Sequence, residues 1–367
     1  MKEHEDEIGR KMNFGSESLE YEDFGDILSI KLAPDVIQQI SEEAALKNES
    51  NLIQIDLLIN GVYKTDAEWT EFSNFRTVTS AQVYQMYDDL TAAHSSYMTK
   101  QNLGTDTLGN EISLYKFKPT VPSVPTKSKM AKVFILCGQH GMEHSPPLAT
   151  YLMLREMCNN WQSNELIEAL RFNVEFLVIP VLNPDGWNKY TRVNENGVDL
   201  NRNWPANWSY TGEGTELWSG PSAASELGVQ YAMQVFEENK DIDVFMDFHN
   251  FNGTAAETQM LWVSPQTDDA LVAAMARSLV TRMTRHWRGK YAFIPPEPYF
   301  AGRIAGGSGA MAKSYAASVG VPLSATFEVC GKWWLDPAAE QHDTIHKRTT
   351  MEALTNWVLI NLNQLQK

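Results

Sequence analysis

The chain is expected to fold as an α/β protein: a mostly parallel mixed central sheet with helices on both faces. Three observations predict this. Short apolar runs recur along the sequence and lack polar alternation, as strands buried on both sides do. Segments with apolar residues at helical spacing alternate with these runs, the pattern of strands joined by crossover helices. Polar residues such as His140 and His249 lie at or just past the ends of the runs, where an open sheet binds ligands beyond the carboxyl ends of its strands.

Taken in order, residues 1–76 read as a small amino-terminal module with an acidic arm, and residues 77–367 as the main domain. Met1 to Gly25 is acidic without an apolar period and is expected to be mobile. Ile27 to Leu32 and Asn51 to Ile59 read as strands around a short helix, Asp35 to Leu46, and the module, which carries no motif, reads as packing first, with a prodomain or a docking module as alternatives. Ser80 is placed to cap a helix running AQVYQMYDDLTAAH, followed by a Gly-punctuated hairpin from Leu103 to Phe117. Pro119 to Lys129 is a surface connection. Val133 to Cys137, Asn173 to Val181, Asp241 to Phe248, Thr258 to Val263 and Leu323 to Val329 read as strands. Helices are expected at Pro147 to Trp161, Ser222 to Glu238, Asp268 to Trp287, Ser308 to Val319 and Ala338 to Leu365.

A chain of 367 residues can bury a sizeable core, and 43% hydrophobic residues suit a globular protein. Its net charge of -16 argues against nucleic acid, whose phosphates need a basic face. No apolar run reaches membrane-span length and the start, MKEHEDEIGR, is unlike a secretory signal, so the expected location is the cytoplasm. Cys137, Cys158 and Cys330 lack framework spacing and read as reduced, buried thiols.

The chemistry gathers around VFILCGQHGME, Val133 to Glu143. His140 and Glu143 leave the strand in a tight turn, and two intervening residues let an imidazole and a carboxylate converge on one cation, with zinc the natural choice. His249 after DVFMDF and Glu328 within ATFEVC add a second imidazole and a second carboxylate. Two His and one Glu suit a zinc ion, leaving the other carboxylate free to act as a base. NPDGWNKYTRVNENGVDLNRNW, Asn183 to Trp204, opens on a turn at Asn183 to Gly186 and holds Arg192, Asp199, Asn201 and Arg202 close together, and guanidinium groups bind carboxylates or stabilise oxyanions.

The ordered set HGME, NPDG, VDLNRNW, GPSAASE (Gly220 to Glu226), DFHN and TFEV resembles the zinc metallocarboxypeptidase family typified by carboxypeptidase A, from about Thr77 to Asn363. The resemblance implies one zinc per chain on His140, Glu143 and His249, with Glu328 as general base. It implies that Arg192 polarises the scissile carbonyl, that Asn201 and Arg202 hold the substrate's terminal carboxylate, and that Asp199 orients His140. The implied reaction is metal-assisted hydrolysis of the C-terminal amide bond of a peptide with a free terminal carboxylate. A zinc acylase of the aspartoacylase and succinylglutamate desuccinylase type shares the His-x-x-Glu and Asn-Arg pattern, although NPDG and GPSAASE favour the peptidase. A cell-wall peptide hydrolase and a non-catalytic binding module are further readings, the last disfavoured by the presence of both Glu328 and Arg192. Oligomeric state leaves no mark in these residues.

Three departures stand out. The family's tyrosine before the Gly306 to Ser308 wall corresponds to about Gly302, beside Arg303, and the nearest tyrosine is Tyr299. Gly309, at the floor of the implied specificity pocket, leaves room for a large substrate side chain, and Met142 replaces the family's arginine between the ligands. Arg303 is expected to read an acidic group on the substrate, an expectation that unchanged selectivity in Arg303→Ala would dispose of.

Overall fold

The computed structural model describes residues 21–23, 28–30, 77–118, 131–163, 170–172, 174–251, 260–263 and 310–330. The chain forms two units, Met1–Tyr63 and Lys64–Lys367. In the first, β1 (Tyr21–Asp23) pairs antiparallel with β2 (Leu28–Ile30), Tyr21 opposite Ile30. This short ribbon begins inside the acidic stretch expected to be a mobile arm, and closing so short a connection costs little chain entropy. The expected module boundary at residue 76, the helix at Asp35 to Leu46 and the strand at Asn51 to Ile59 lie outside the described residues. So do the helices at Asp268 to Trp287 and Ala338 to Leu365.

The second unit is a seven-stranded sheet in the order β3-β4-β6-β5-β7-β9-β8. Its strands are β3 (Met98–Thr105), β4 (Glu111–Phe117), β5 (Ala131–Cys137), β6 (Val174–Ile179), β7 (Val244–Phe251), β8 (Met260–Val263) and β9 (Leu323–Cys330). The central neighbours β6-β5-β7-β9 run parallel, and β3, β4 and β8 join antiparallel toward the edges. This is the mixed, mostly parallel sheet that the apolar runs predict.

Both faces of the central strands are covered. On β5, Val133, Ile135 and Cys137 enter one core while Phe134 and Leu136 enter the other, the alternation a pleated strand imposes. The first core is closed by α1 (Ser80–Ala93) and α2 (Ser145–Asn159) through Val83, Tyr87, Met153 and Met157. Opposite, α4 (Leu227–Glu238) and α5 (Ala312–Ser318) contribute Val229, Val235, Phe236 and Ala316; a short α3 (Pro184–Lys189) lies between α2 and α4 in the chain. Thr79, not Ser80, caps α1: its hydroxyl accepts from the Gln82 N–H while the Gln82 side chain accepts from the Thr79 N–H, a reciprocal capping box. Cys137 and Cys158 are free and buried, as expected, and burial pushes the Cys158 thiol up to about 11. Among the described residues no helix is long and apolar enough to cross a membrane.

Candidate metal centre

Strand ends build the site. β5 stops at Cys137 because Gly138 turns with φ +65°, a left-handed conformation that glycine adopts without steric cost. Gly141 is fixed by contact: a Cβ there would sit 1.9 Å from the carbonyl carbon of Gly186. The HGME turn thus lies directly on the NPDG turn. Backbone bonds complete the seam, with Leu182 N–H donating to Cys137 C=O at 3.1 Å and Asn183 N–H to Gly138 C=O at 2.9 Å. NPDG itself is helical rather than a plain turn, because the Asn183 side chain caps α3 by accepting from Gly186 N–H at 2.9 Å and Pro184 is preset for the first helical position.

The chain then leaves α3 through Tyr190, at φ 57°, into the segment carrying Arg192 and Asp199. Buried Glu226 clamps this loop by accepting from the Asn194 amide at 2.6 Å and the Asn196 amide at 2.8 Å. Asn194 in turn accepts from Val198 N–H at 2.9 Å. That is the structural work of the GPSAASE segment, whose terminal glutamate had no assigned role in the sequence.

Here the two histidines meet. His140 Nδ1 lies 2.8 Å from Glu143 Oε1 and 3.2 Å from His249 Nδ1, and His249 Nδ1 lies 2.8 Å from Glu143 Oε2. All three side chains are buried, with donor atoms within 4.8 Å of one another. Both outer ring nitrogens face aspartates: His140 Nε2 is 3.1 Å from Asp199 Oδ1, and His249 Nε2 is 2.7 Å from Asp247 Oδ1. A carboxylate only accepts, so each Nε2 carries a proton, and with a cation between the rings and Glu143 each Nδ1 would offer its lone pair inward. Two imidazoles and one carboxylate suit zinc, and bonds of about 2.0 to 2.1 Å would separate tetrahedral donors by about 3.3 Å, close to the spacings found. The residues present therefore fit a zinc ion.

Electrostatics point the same way. Burial pushes Glu143 up, but His140 and His249 against it hold its carboxyl well below the usual range. Asp199 is likewise pushed up by burial and held far lower by His140, Arg192 and Arg202. Burial disfavours charge on His140 and His249, yet Glu143 and Asp199 raise the first, and Asp247 and Glu143 raise the second well above the usual imidazole value. The cluster therefore favours positive charge between its rings.

The structure brings Arg192, Arg202 and Asn201 to the same place. Arg192 forks onto Asp199 Oδ2 through Nε at 2.9 Å and Nη2 at 2.8 Å. Arg202 is half-buried beside it and donates from Nη1 to Asn201 C=O at 2.8 Å. Asn201 is turned inward: its carbonyl accepts from Ala312 N–H at 3.0 Å and its amide donates to Asp247 Oδ2 at 3.2 Å. On β9, Glu328 pairs in register with His249 on β7, so its backbone stands beside one of the three clustered residues. Gly309, Gly302, Arg303 and Tyr299 lie outside the described residues. Asp247 escaped sequence reasoning, although an acid two residues before His249 in an apolar strand shares its face and needs a partner.

Residues 83–350 match the protein family described as zinc carboxypeptidase. Carboxypeptidase O of Homo sapiens is 24% identical over 279 residues, covering 68% of this chain and 69% of the relative. Carboxypeptidase A1 of Rattus norvegicus is 24% identical over 265 residues, 67% of this chain and 62% of the relative. The chain spans only 49% of carboxypeptidase O of Bos taurus, about half that relative's length. Among solved structures, thrombin activatable fibrinolysis inhibitor superposes with a TM-score of 0.66 at 17% identity, over 90% of this chain and 88% of that one. Carboxypeptidase A from Helicoverpa armigera gives 0.61 at 16% identity, over 97% and 86%.

Proposed function

Because this chain belongs to the zinc carboxypeptidase family, we propose that it is a zinc-dependent metallocarboxypeptidase that removes the last residue of peptides bearing a free terminal carboxylate. One observation carries the reading: His140 Nδ1, His249 Nδ1 and the Glu143 carboxylate converge, each imidazole backed by an aspartate. When bound by these residues, zinc lowers the pKa of a coordinated water from about 16 to about 7 and polarises a carbonyl oxygen.

The remaining chemistry belongs to the protein. Arg202 receives the substrate's terminal carboxylate in a fork, placing the last amide bond over the ligand cluster, with Asn201 shaping that corner. Arg192, anchored by Asp199 through Nε and Nη2, presents its outer N–H groups to the oxygen that gains charge as the carbonyl becomes tetrahedral. Such a donor commonly contributes about 3 kcal/mol. Glu328 takes the proton of the attacking water and returns it to the leaving amine; its register beside His249 supports the assignment.

The test is a panel of blocked dipeptides and cell-wall peptides with free or amidated carboxyl ends, alongside N-acyl amino acids. Release of the terminal amino acid from free-ended peptides alone is the expected result. Turnover confined to N-acyl amino acids would replace the peptidase with an acylase. Equal cleavage of amidated ends would remove Arg202 from its assigned role.

A further inference from the structure

Asp247 has no exposed surface and sits on β7 two residues before His249, so the two side chains share one face of the strand. All its contacts are with donors. Oδ1 accepts from His249 Nε2 at 2.7 Å and from the Gln139 amide; Oδ2 accepts from Thr326 Oγ1 at 3.0 Å and Asn201 Nδ2 at 3.2 Å. The Gln139 carbonyl is itself held by Trp204 Nε1–H at 2.9 Å. Four elements therefore fix this one carboxylate: the HGME turn, the Leu200–Arg202 turn, β7 and β9.

We propose that Asp247 is a positioning residue that locks the tautomer and ring orientation of His249, so that Nδ1 presents its lone pair to the metal. This rests on the reading of the cluster as a zinc site. With a cation held between His249 Nδ1 and Glu143, the alternative tautomer would aim Nδ1–H at that cation and set the Nε2 lone pair against a carboxylate oxygen at 2.7 Å, a repulsive contact between two acceptors. The amide nitrogens of Gln139 and Asn201 lie 3.4 and 3.2 Å from the same Nε2, but each also donates to an Asp247 oxygen. With Asp199 behind His140, both imidazole ligands then have a carboxylate at their outer nitrogen. Each such partner makes its imidazole a stronger ligand, and loss of one typically costs 10- to 100-fold in metal affinity.

Asp247→Asn preserves shape but offers one amide oxygen to partners that are all donors. Its NH2 then faces either His249 and Gln139 or Thr326 and Asn201. Zinc affinity is measured by competition with a chromophoric chelator on wild type, Asp247→Asn and Thr326→Val. The valine variant removes a donor from Asp247 but leaves the pair with His249 intact. The expected result is a 10- to 100-fold loss in Asp247→Asn and about a threefold loss or less in Thr326→Val. Equal affinity in wild type and folded Asp247→Asn would overturn the proposal while leaving the zinc site in place. Failure of wild type to bind zinc would remove both. A long-range proton–nitrogen NMR correlation on zinc-loaded wild type decides the matter even if Asp247→Asn does not fold. A protonated Nε2 with a metal-shifted Nδ1 on His249 is expected, and the reverse would overturn the proposal.

Discussion

Replacing Asp199 by asparagine should damage both the fold and the metal site, and the structure fixes how. Four N–H groups point at this buried carboxylate: His140 Nε2 at 3.1 Å, Asn201 N at 2.9 Å, Arg192 Nε at 2.9 Å and Arg192 Nη2 at 2.8 Å. The first two meet Oδ1 and the others Oδ2, so an asparagine must set its NH2 against one pair whichever way it flips. Turned toward Arg192, it strands a half-buried guanidinium. Turned toward His140, it favours the tautomer that aims Nδ1–H at the metal. Two orphaned donors at about 1 to 3 kcal/mol each give an expected loss of about 2 to 6 kcal/mol in metal-free stability. Zinc affinity should fall about 10- to 100-fold. Urea unfolding of the metal-free protein and chelator competition read the two effects separately. Stability within about 0.5 kcal/mol of wild type, with zinc affinity within about twofold, would refute the reasoning.

Further outcomes follow from the same geometry. Glu328→Gln should bind zinc as wild type does and lose about 10²- to 10⁴-fold in turnover, the scale of a missing general base; simultaneous loss of zinc would make Glu328 a ligand instead. The metal-free protein should have a pH optimum of stability. Raised pKa values on His140 and His249 contribute stability that is full below the unfolded value of 6.5 and lost as pH rises through the folded values. The depressed value on Glu143 contributes stability that is full above 4.5 and lost as pH falls through the folded value. Metal-free stability should thus decline as pH rises above 6.5 through the raised folded values while zinc affinity rises over the same range, since zinc and protons compete; chelator competition and urea titrations at several pH values check both signs. Gly141→Ala forces a Cβ to within 1.9 Å of the Gly186 backbone, so it should cost about 1 to 3 kcal/mol or more and weaken zinc binding by spreading the HGME and NPDG turns. Urea unfolding and zinc titration of that variant test it.

Much of this was legible in the chain because the chemistry sits at strand ends, where an apolar run meets a polar residue. β5, β6, β7 and β9 announce themselves by mostly apolar stretches, with His140 just past the end of one and His249 near the end of another. Less was legible where several segments share one residue. Asp247 reads as a lone acid in DFH, and only the sheet register and the HGME and Leu200–Arg202 turns bring it three further donors. Glu226 reads as part of a polar loop, yet it holds the turn that carries Arg192 and Asp199. The helical NPDG segment and the Thr79 cap were missed because the same residues suit turns and caps equally, and only their hydrogen bonds decide between them.

The central claim is that His140, Glu143 and His249 together hold one zinc ion on which hydrolysis depends. The direct measurement is metal content of the purified protein by elemental analysis, beside His249→Ala and after chelation and zinc return. The account predicts about one zinc per wild-type chain, loss of zinc and turnover together in the variant and after chelation, and recovery of both in wild type when zinc is restored. Wild-type protein that takes up no zinc on reconstitution, or hydrolyses peptides equally well without it, would contradict the account.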